Sequence, residues 1–531
     1  VTTAATPLDD GEVDALLAAF SRHDRIVLAV SGGADSTALM HIVSQWLLRQ
    51  RPLRLDVMAV TIDHGLRPEA AVEAKDVGKL ASSLGIAHRI LDWAGPKPST
   101  GIQAAARQAR YALLREAATA SWRPGDAQAR TAIVTAHTAD DQAETLLMRL
   151  ARGSGVDGLA AIPASGTVAP PRDSEAEAGV PILRPLLTVP RARLIAGLEA
   201  ASIGYSNDPS NLDPRYERVR IRNALRLLEG LGFDRMALAR TAARMQDART
   251  VLDRAADAAQ KQIVRQTFGC IYEFDLNSFD ALPEETAVRL LRRLLGWAGG
   301  STLAAELATI ESGSRRLKKL STGGPTASRD AFTLGGCIVE TAHRKGKPGL
   351  TAYIYREPDR GDGLPRLDLQ PGERSNWDDR FRVIMAGSIH TGSDRTDVAS
   401  LEPVEVGPLA DDWPAIWPEI ERACGALAQT RVPLAAVRGL PVFRRRGSII
   451  AIPVLADLAR RLGDPGIADL WQGPLVEMKP EAGAGASRTR PDTGSLAGHS
   501  TSSGGLGLVP LLRTEPIWPD PSAGEPADLP A

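Results

Sequence analysis

The sequence predicts an α/β fold. A parallel, doubly wound (Rossmann-like) domain comes first, followed by a mainly helical domain and a small α+β C-terminal region. Three observations predict it. Short β-branched runs alternate with helix-period segments over the first third of the chain. A glycine pair, Ser31-Gly32-Gly33-Ala34-Asp35-Ser36, joins the first strand to the first helix. Polar residues suited to chemistry then recur at the carboxyl ends of later strands, where ligands of such sheets sit.

In chain order, Ile26–Val30 reads as the first strand and Thr37–Leu48 as the first helix. Leu55–Ile62 ("LDVMAVTI") is a strand, Ala70–Leu84 a helix and "AHRIL" around His88 a strand. Ile102–Ala120 is helical, Thr131–His137 extended and Asp140–Arg152 helical. Strands alternating with helices imply a parallel sheet covered on both faces. Gly166–Gly179 ("GTVAPPRDSEAEAG") reads as an inserted loop, after which "ILRPLLTVPRARLIAGLEAASIGY" restarts as strand and helix. From Gly232 to about Leu320 the apolar spacing is helical, and "AFTLGGCIVETAHRKGKPGLTAYIYREP" alternates like hairpin strands. Short strands such as "FRVIMAG" and "GSIIAIPVL" mark a third region. The expected domains are therefore 1–229, 230–358 and 359–476, with 477–531, dense in Gly, Pro, Ser and Ala, as a disordered tail.

With 531 residues, 43% of them hydrophobic, the chain is long enough for several cores. No run reaches the ~18 consecutive apolar residues of a membrane span. Val1–Pro7 lacks the basic and apolar regions of a secretory signal, so a soluble cytoplasmic protein without a membrane is expected. Cys270, Cys337 and Cys424 are far apart and none belongs to a CxxC, which excludes a disulfide framework and argues against a zinc ribbon or an iron–sulfur site. A net charge of −1 means that any polyanion must meet a local basic patch. No obligate protein partner is implied, and the oligomeric state is open.

The turn at Ser31 raises the central chemical question. A strand, a Gly-Gly turn and a helix N-terminus bring backbone N–H groups close to an anion. Ser31, Ser36 and Thr37 add hydroxyls, and the lysine of a Walker A loop is missing. Asp35 would repel phosphates unless a divalent cation lay between them, which points to ATP with Mg²⁺ and Asp35 facing the metal. The plain alternative is a tight strand–helix turn capped by Ser31.

The pattern SGGxDS after an apolar strand resembles the PP-loop of the N-type ATP pyrophosphatases, which cleave ATP between its α and β phosphates. "TIDHGLRPEA", "AARQARYALL", "AHTADDQAETLLMRLARGSGVDGLAAI" and "YSNDPSNLDPRYERVRIRNAL" resemble the tRNA(Ile)-lysidine synthase family within that group. The likeness is tight over about 20–225, weaker at "LGGCIV" and "YREP", and faint beyond Gly361. It implies adenylation of the C2 oxygen of the wobble cytidine in a CAU anticodon of tRNA(Ile). Free L-lysine then attacks through its ε-amine, giving lysidine, AMP and diphosphate. The same likeness places ATP at Ser31, Gly32, Gly33, Ala34, Asp35, Ser36 and His64.

Other residues make chemical sense beside that likeness. Thr138-x-x-Asp141 fits a capping box that starts a helix at Ala139. His137 and Asp141 then fall near one another, with Asp140 above Glu144 on an adjacent face. Such a cluster suits a metal, a lysine ammonium or proton transfer during amine attack, so Asp35, His137 and Asp141 are the candidate catalytic residues. Asp35 and Asp141 are the candidate metal ligands. Asp140, Glu144, Arg107 and Arg110 are candidates for the lysine or adenylate site, with a solvated helix face as the alternative for the two arginines. Asp63-His64-Gly65-Leu66-Arg67 offers an acid, an imidazole and a guanidinium at a strand end.

Arg215, Tyr216, Arg218, Arg220 and Arg222 combine phosphate contacts with a stacking platform and are the candidate tRNA-binding residues. Asp208-Pro209-Ser210-Asn211 is a turn that would order this arm. Arg315, Arg316, Lys318 and Lys319 form a second basic patch, better read as ordinary surface charge than as an acceptor-stem contact. Relatives that thiolate tRNA rely on paired cysteines, and amidating relatives need a glutaminase; neither feature is present. A nucleotide-binding regulator without catalysis would explain the turn but not the acid–His cluster.

Overall fold

The structure is a computed structural model. It describes residues 5–50, 54–65, 69–95, 97–98, 100–120, 122, 129–169, 179–206, 213–300, 305–322, 330–343, 349–358, 363–385, 388–391, 394–397, 403–423 and 432–452, with 475–477, 508–510 and 512–516. Two compact units divide at Val251/Leu252.

The first unit opens with helix α1 (Asp10–Leu17), whose N-cap Asp9 and Glu12 exchange capping hydrogen bonds. Strand and helix then alternate through β1 (Arg25–Ala29), α2 (Ala34–Arg49), β2 (Asp56–Asp63), α3 (Ala70–Ser83), β3 (Ala87–Asp92), α4 (Ile102–Thr119), β4 (Thr131–Val134) and α5 (Ala139–Leu150). The short α6 (Val156–Leu159), β5 (Ser165–Val168), β6 (Val180–Leu183), α7 (Arg191–Ala200) and α8 (Glu217–Glu229) follow, and then α9 (Arg235–Ile263), within which the division falls. The six strands form one sheet in the order β3-β2-β1-β4-β6-β5. All neighbours are parallel except β5, which runs antiparallel to β6.

β1 shows why a continuous apolar run suits the middle of such a sheet. Ile26, Leu28 and Val30 enter one core with α1, α2 and α7, whereas Val27 enters the opposite core with α4. Both faces are therefore dry. Because β1 lies between β2 and β4, the chain reverses direction of growth there, and the crevice beside its carboxyl end is where ligands of this architecture bind.

The expected elements of this unit match within a few residues. One part of the expected loop is instead structured: Ser165–Val168 pairs with Val180–Leu183, while 170–178 lie outside the described residues. Asp208–Asn211, Leu66, Arg67 and Cys424 also lie outside them.

The second unit contains β7 (Val264–Thr267), β8 (Ile271–Asp275), α10 (Leu276–Asp280), α11 (Glu284–Gly299), α12 (Leu307–Ser321), β9 (Asp330–Leu334), β10 (Cys337–His343) and β11 (Leu350–Arg356). Its five-stranded sheet runs β7-β8-β11-β10-β9. The β7–β8 hairpin corrects the helical reading of Gly232–Leu320. Its tip, Phe268-Gly269-Cys270, is buried at Phe268 and Cys270, an apolar run that spacing alone does not separate from a helix. α11 and α12 pack on this sheet around Leu290, Leu291, Leu294, Ile310 and Leu317. A four-stranded sheet joins 367–369, 404–408, 441–445 and 448–451. Phe381–Met385 pairs antiparallel with Leu512–Pro516, a strand inside the segment read as a tail.

Among the described residues no helix is long and apolar enough to cross a membrane. Arg316 pairs with Asp330 and lies over Phe332, and Lys318 donates to the Leu282 carbonyl. Those two members of the second basic patch thus bind their own unit.

Candidate active site

The loop after β1 is held open by its own backbone. Gly32 has φ +86°, a conformation costly for any residue with a Cβ. A Cβ there would also meet Val77 Cγ2 at 3.2 Å. Thr37 Oγ1 donates to the Gly32 carbonyl at 3.1 Å, and Ser36 Oγ donates to the Gly33 carbonyl at 3.1 Å. These two hydroxyls therefore shape the loop from within. Ser36 Oγ also accepts from the Ser31 N–H at 3.1 Å. From far along the chain, the Ser206 N–H donates to the Gly32 carbonyl at 2.9 Å.

The N-cap of α2 is Gly33, not Ser31, and no side chain caps it. The first-turn N–H groups at Ala34, Asp35 and Ser36 are thus left for an anion, aided by the helix dipole. Contrast α5, where Thr138 and Asp141 form the expected capping box: the Thr138 N–H and Oγ1 donate to Asp141 Oδ2 at 2.8 and 3.0 Å.

Four acids and four arginines meet beside this loop. Asp141 Oδ1 accepts from Arg218 Nη2 at 2.8 Å. Glu144, almost fully buried, accepts from Arg218 Nε at 2.8 Å and from Arg222 Nε at 2.7 Å. Asp140 Oδ2 accepts the Arg191 backbone N–H at 2.8 Å, and its Oδ1 accepts from Arg235 Nη1 at 3.0 Å. Arg191 Nε stands 3.2 Å from Asp35 Oδ1. Burying a carboxylate such as Glu144 is tolerable only with such charge-assisted partners.

The network leaves Asp35 in an unusual state. Burial pushes its carboxyl up to about 6, Arg191 and Arg222 pull it down, and the charges of Asp141 and Asp140 push it further up. Its Oδ1 is buried and receives no hydrogen bond. Its one close cation, Arg191, makes an ion pair without a hydrogen bond, which leaves the oxygen able to take a metal ion. Mg²⁺ fits Asp35, because this ion is commonly held by one or two carboxylates plus phosphate oxygens. It does not fit Asp141 equally: both oxygens there are already engaged, by the helix cap and by Arg218. Among the described residues no group of three His, Cys, Asp or Glu is arranged around a metal position.

His137 lies at the end of β4 with Nδ1 2.8 Å from Thr135 Oγ1. Burial lowers its pKa to about 4, the Asp141 charge opposes this, and Arg184, Arg218 and Arg107 reinforce it. The imidazole is therefore neutral at ordinary pH. His64, at the end of β2, is also shifted down, by burial first and by the Arg110 charge next. Its ring meets Trp93 edge-on at 5.9 Å, and Asp63 Oδ1 accepts from the Gly65 N–H at 2.8 Å to fix the turn. Arg107 stacks over Tyr111 with 5.2 Å to the ring centroid. The α4 arginines thus bear on the two histidines.

The arginine arm divides. Arg218 and Arg222, expected as RNA phosphate contacts, hydrogen-bond to the acids of α5. Arg215 pairs with Asp213 and has a side chain 84% exposed, and Arg220 donates to the carbonyls of Pro214 and Arg215. Tyr216 is the N-cap of α8. Arg191 and Arg235 are the members that sequence reasoning missed. Arg191 directly follows Pro190 at the first position of a helix, a placement that carries a start signal but no chemical one.

A family model described as "PP-loop domain" matches residues 8–228. A tRNA(Ile)-lysidine synthase from Bradyrhizobium diazoefficiens is 40% identical over 375 residues, covering 67% of this chain and 98% of that protein. The chain belongs to the tRNA(Ile)-lysidine synthase family. Two further members are similar to it: that of Rhodopseudomonas palustris is 42% identical, covering 62% of this chain and 91% of its own length. That of Methylobacterium nodulans is 41% identical, covering 68% and 100%. The PP-loop match spans the sheet, the uncapped α2 terminus and the acid–arginine network apart from Arg235.

Proposed function

We propose that this protein is an ATP-dependent ligase that joins free L-lysine to C2 of the wobble cytidine in a CAU-anticodon tRNA(Ile), releasing AMP and diphosphate. The observation that carries this reading is the meeting of an uncapped, glycine-shaped helix terminus with Asp35, a buried carboxylate oxygen that accepts no hydrogen bond, at the carboxyl end of the sheet. The family membership supports the choice of substrates.

In this reading the loop Ser31–Ser36 receives the β and γ phosphates on its N–H groups, and His64 with its Trp93 neighbour lies on the nucleoside side. Asp35, together with phosphate oxygens, would hold Mg²⁺, which would supply charge neutralisation on the triphosphate. The cytidine O2 attacks the α-phosphorus and diphosphate leaves. The ε-amine of lysine must then shed a proton to attack C2. Neutral His137 is available to accept it, being fixed through Nδ1 by Thr135. Asp141 and Glu144 contribute negative potential for the ammonium, moderated by Arg218 and Arg222. Arg107 and Arg110 face the adenylate. Arg215, Tyr216 and Arg220 remain as the RNA-facing part of the arm, with the 1–229 segment as the catalytic domain and 230–358 as a substrate-binding one.

The experiment is incorporation of radiolabelled lysine into a CAU-anticodon tRNA(Ile) transcript with ATP and Mg²⁺. Label in that transcript and AMP in equal amount support the reading. No label in the transcript, with AMP absent, refutes it. Sulfur transfer or amidation in place of lysine incorporation would favour another PP-loop activity.

A further inference from the structure

Arg191 is held from two sides. Its backbone N–H is anchored by Asp140 Oδ2 at 2.8 Å, which fixes the first residue of α7. Its guanidinium Nε approaches Asp35 Oδ1 at 3.2 Å, yet that oxygen receives no hydrogen bond, and both side chains keep a quarter to a third of their surface exposed.

The other three arginines differ. Arg218, Arg222 and Arg235 each close hydrogen bonds of 2.7–3.0 Å on Asp141, Glu144 or Asp140. Arg191 instead leaves its guanidinium loosely parked beside the open N-terminus of α2. An anion arriving on the α2 N–H groups competes with Asp35 for that guanidinium.

We propose that Arg191 is a catalytic residue of the adenylation step, its guanidinium passing from Asp35 to the departing diphosphate, with Asp140 as the positioning residue that fixes its backbone. The proposal rests on the reading of the site as one that cleaves ATP. The cytidine O2 forms a bond to the α-phosphorus as the bond from that phosphorus to the α,β-bridging oxygen breaks. The electron pair leaves with the bridging oxygen, so charge grows on diphosphate. A pre-placed guanidinium stabilises this charge more in the transition state than in bound ATP, and bidentate contact with phosphate is the geometry guanidinium favours.

The test compares the full-length protein with Arg191→Gln, Arg191→Lys and Asp140→Asn. Removing one such donor costs about 10²–10³-fold in turnover. Arg191→Gln is expected to lose that much in kcat for AMP formation with a smaller change in KM for ATP. It should also bind magnesium diphosphate at least about tenfold more weakly by calorimetry, with tRNA affinity unchanged. Arg191→Lys should recover part of both, and Asp140→Asn should fall between. A loss confined to KM, or unchanged diphosphate affinity in Arg191→Gln, overturns the proposal. If the wild-type protein itself forms no AMP, the functional reading falls; if it does and Arg191→Gln matches it, only Arg191 falls.

Discussion

Arg218 joins two acids of one helix, with Nη2 2.8 Å from Asp141 Oδ1 and Nε 2.8 Å from Glu144 Oε2. Because Glu144 is buried, its two arginine partners support the fold as well as the site. Arg222→Ala is therefore expected to lower unfolding free energy by about 1.5–3 kcal/mol, the usual value of a hydrogen bond to a charged group, in urea denaturation. A change below half a kcal/mol would mean that Glu144 finds water or another donor.

The same inward orientation separates the arginines in RNA binding. Arg220→Ala, on the exposed face of α8, should weaken tRNA binding and reduce the slope of log affinity against log salt by about one. Arg222→Ala should leave that slope alone, since its charge is already neutralised by Glu144. Equal slopes for both variants would move the RNA surface elsewhere.

Gly32→Ala places a Cβ at φ +86° and 3.2 Å from Val77 Cγ2. The backbone penalty is on the order of 1–3 kcal/mol, and relief requires the loop to reshape. Weaker binding of ATP by at least tenfold is expected in calorimetry, with tRNA affinity retained. A variant with wild-type nucleotide affinity would show that the loop conformation is dispensable.

Asp35→Ala removes the carboxylate oxygen that accepts no hydrogen bond. AMP formation should fall below detection while tRNA binding survives, and raising Mg²⁺ should not restore it. Full turnover would show that the metal is held elsewhere.

Asp35 and His137 make opposite contributions to stability against pH. The native Asp35 carboxyl titrates near 6 instead of 3.8, so the native state holds the extra proton between those values and stability falls as pH rises through them. Native His137 titrates near 4 instead of 6.5, so the unfolded state holds the extra proton and stability rises across that window. Relative to wild type, Asp35→Asn should therefore gain stability more steeply from pH 4 to 6, and His137→Gln less steeply. Parallel urea midpoints for all three proteins over that range would refute both assignments.

The alternation of strands and helices made the first unit legible, because apolar period and strand-end chemistry agree there. The capping box at Thr138 was legible for the same reason: both its partners lie within one turn. What stayed hidden were contacts made across long separations. Nothing in "VPRARL" tells that Arg191 reaches Asp35, and nothing in "RVRIRNAL" tells that Arg218 and Arg222 face acids of α5. Basic residues look alike in sequence until burial distinguishes them. The β7–β8 hairpin is hidden for a related reason, since β7 buries only Val264 and β8 is a short buried run with no period of its own.

The bond from the Ser206 N–H to the Gly32 carbonyl has a bearing on biosynthesis. Most of the loop's internal bonds can form as soon as the first strand and helix leave the ribosome. This last one waits until residue 206 has emerged, so a nascent chain halted earlier carries the glycine turn without its outer latch. The latched turn and the stretch that bears Arg191 are therefore complete only together.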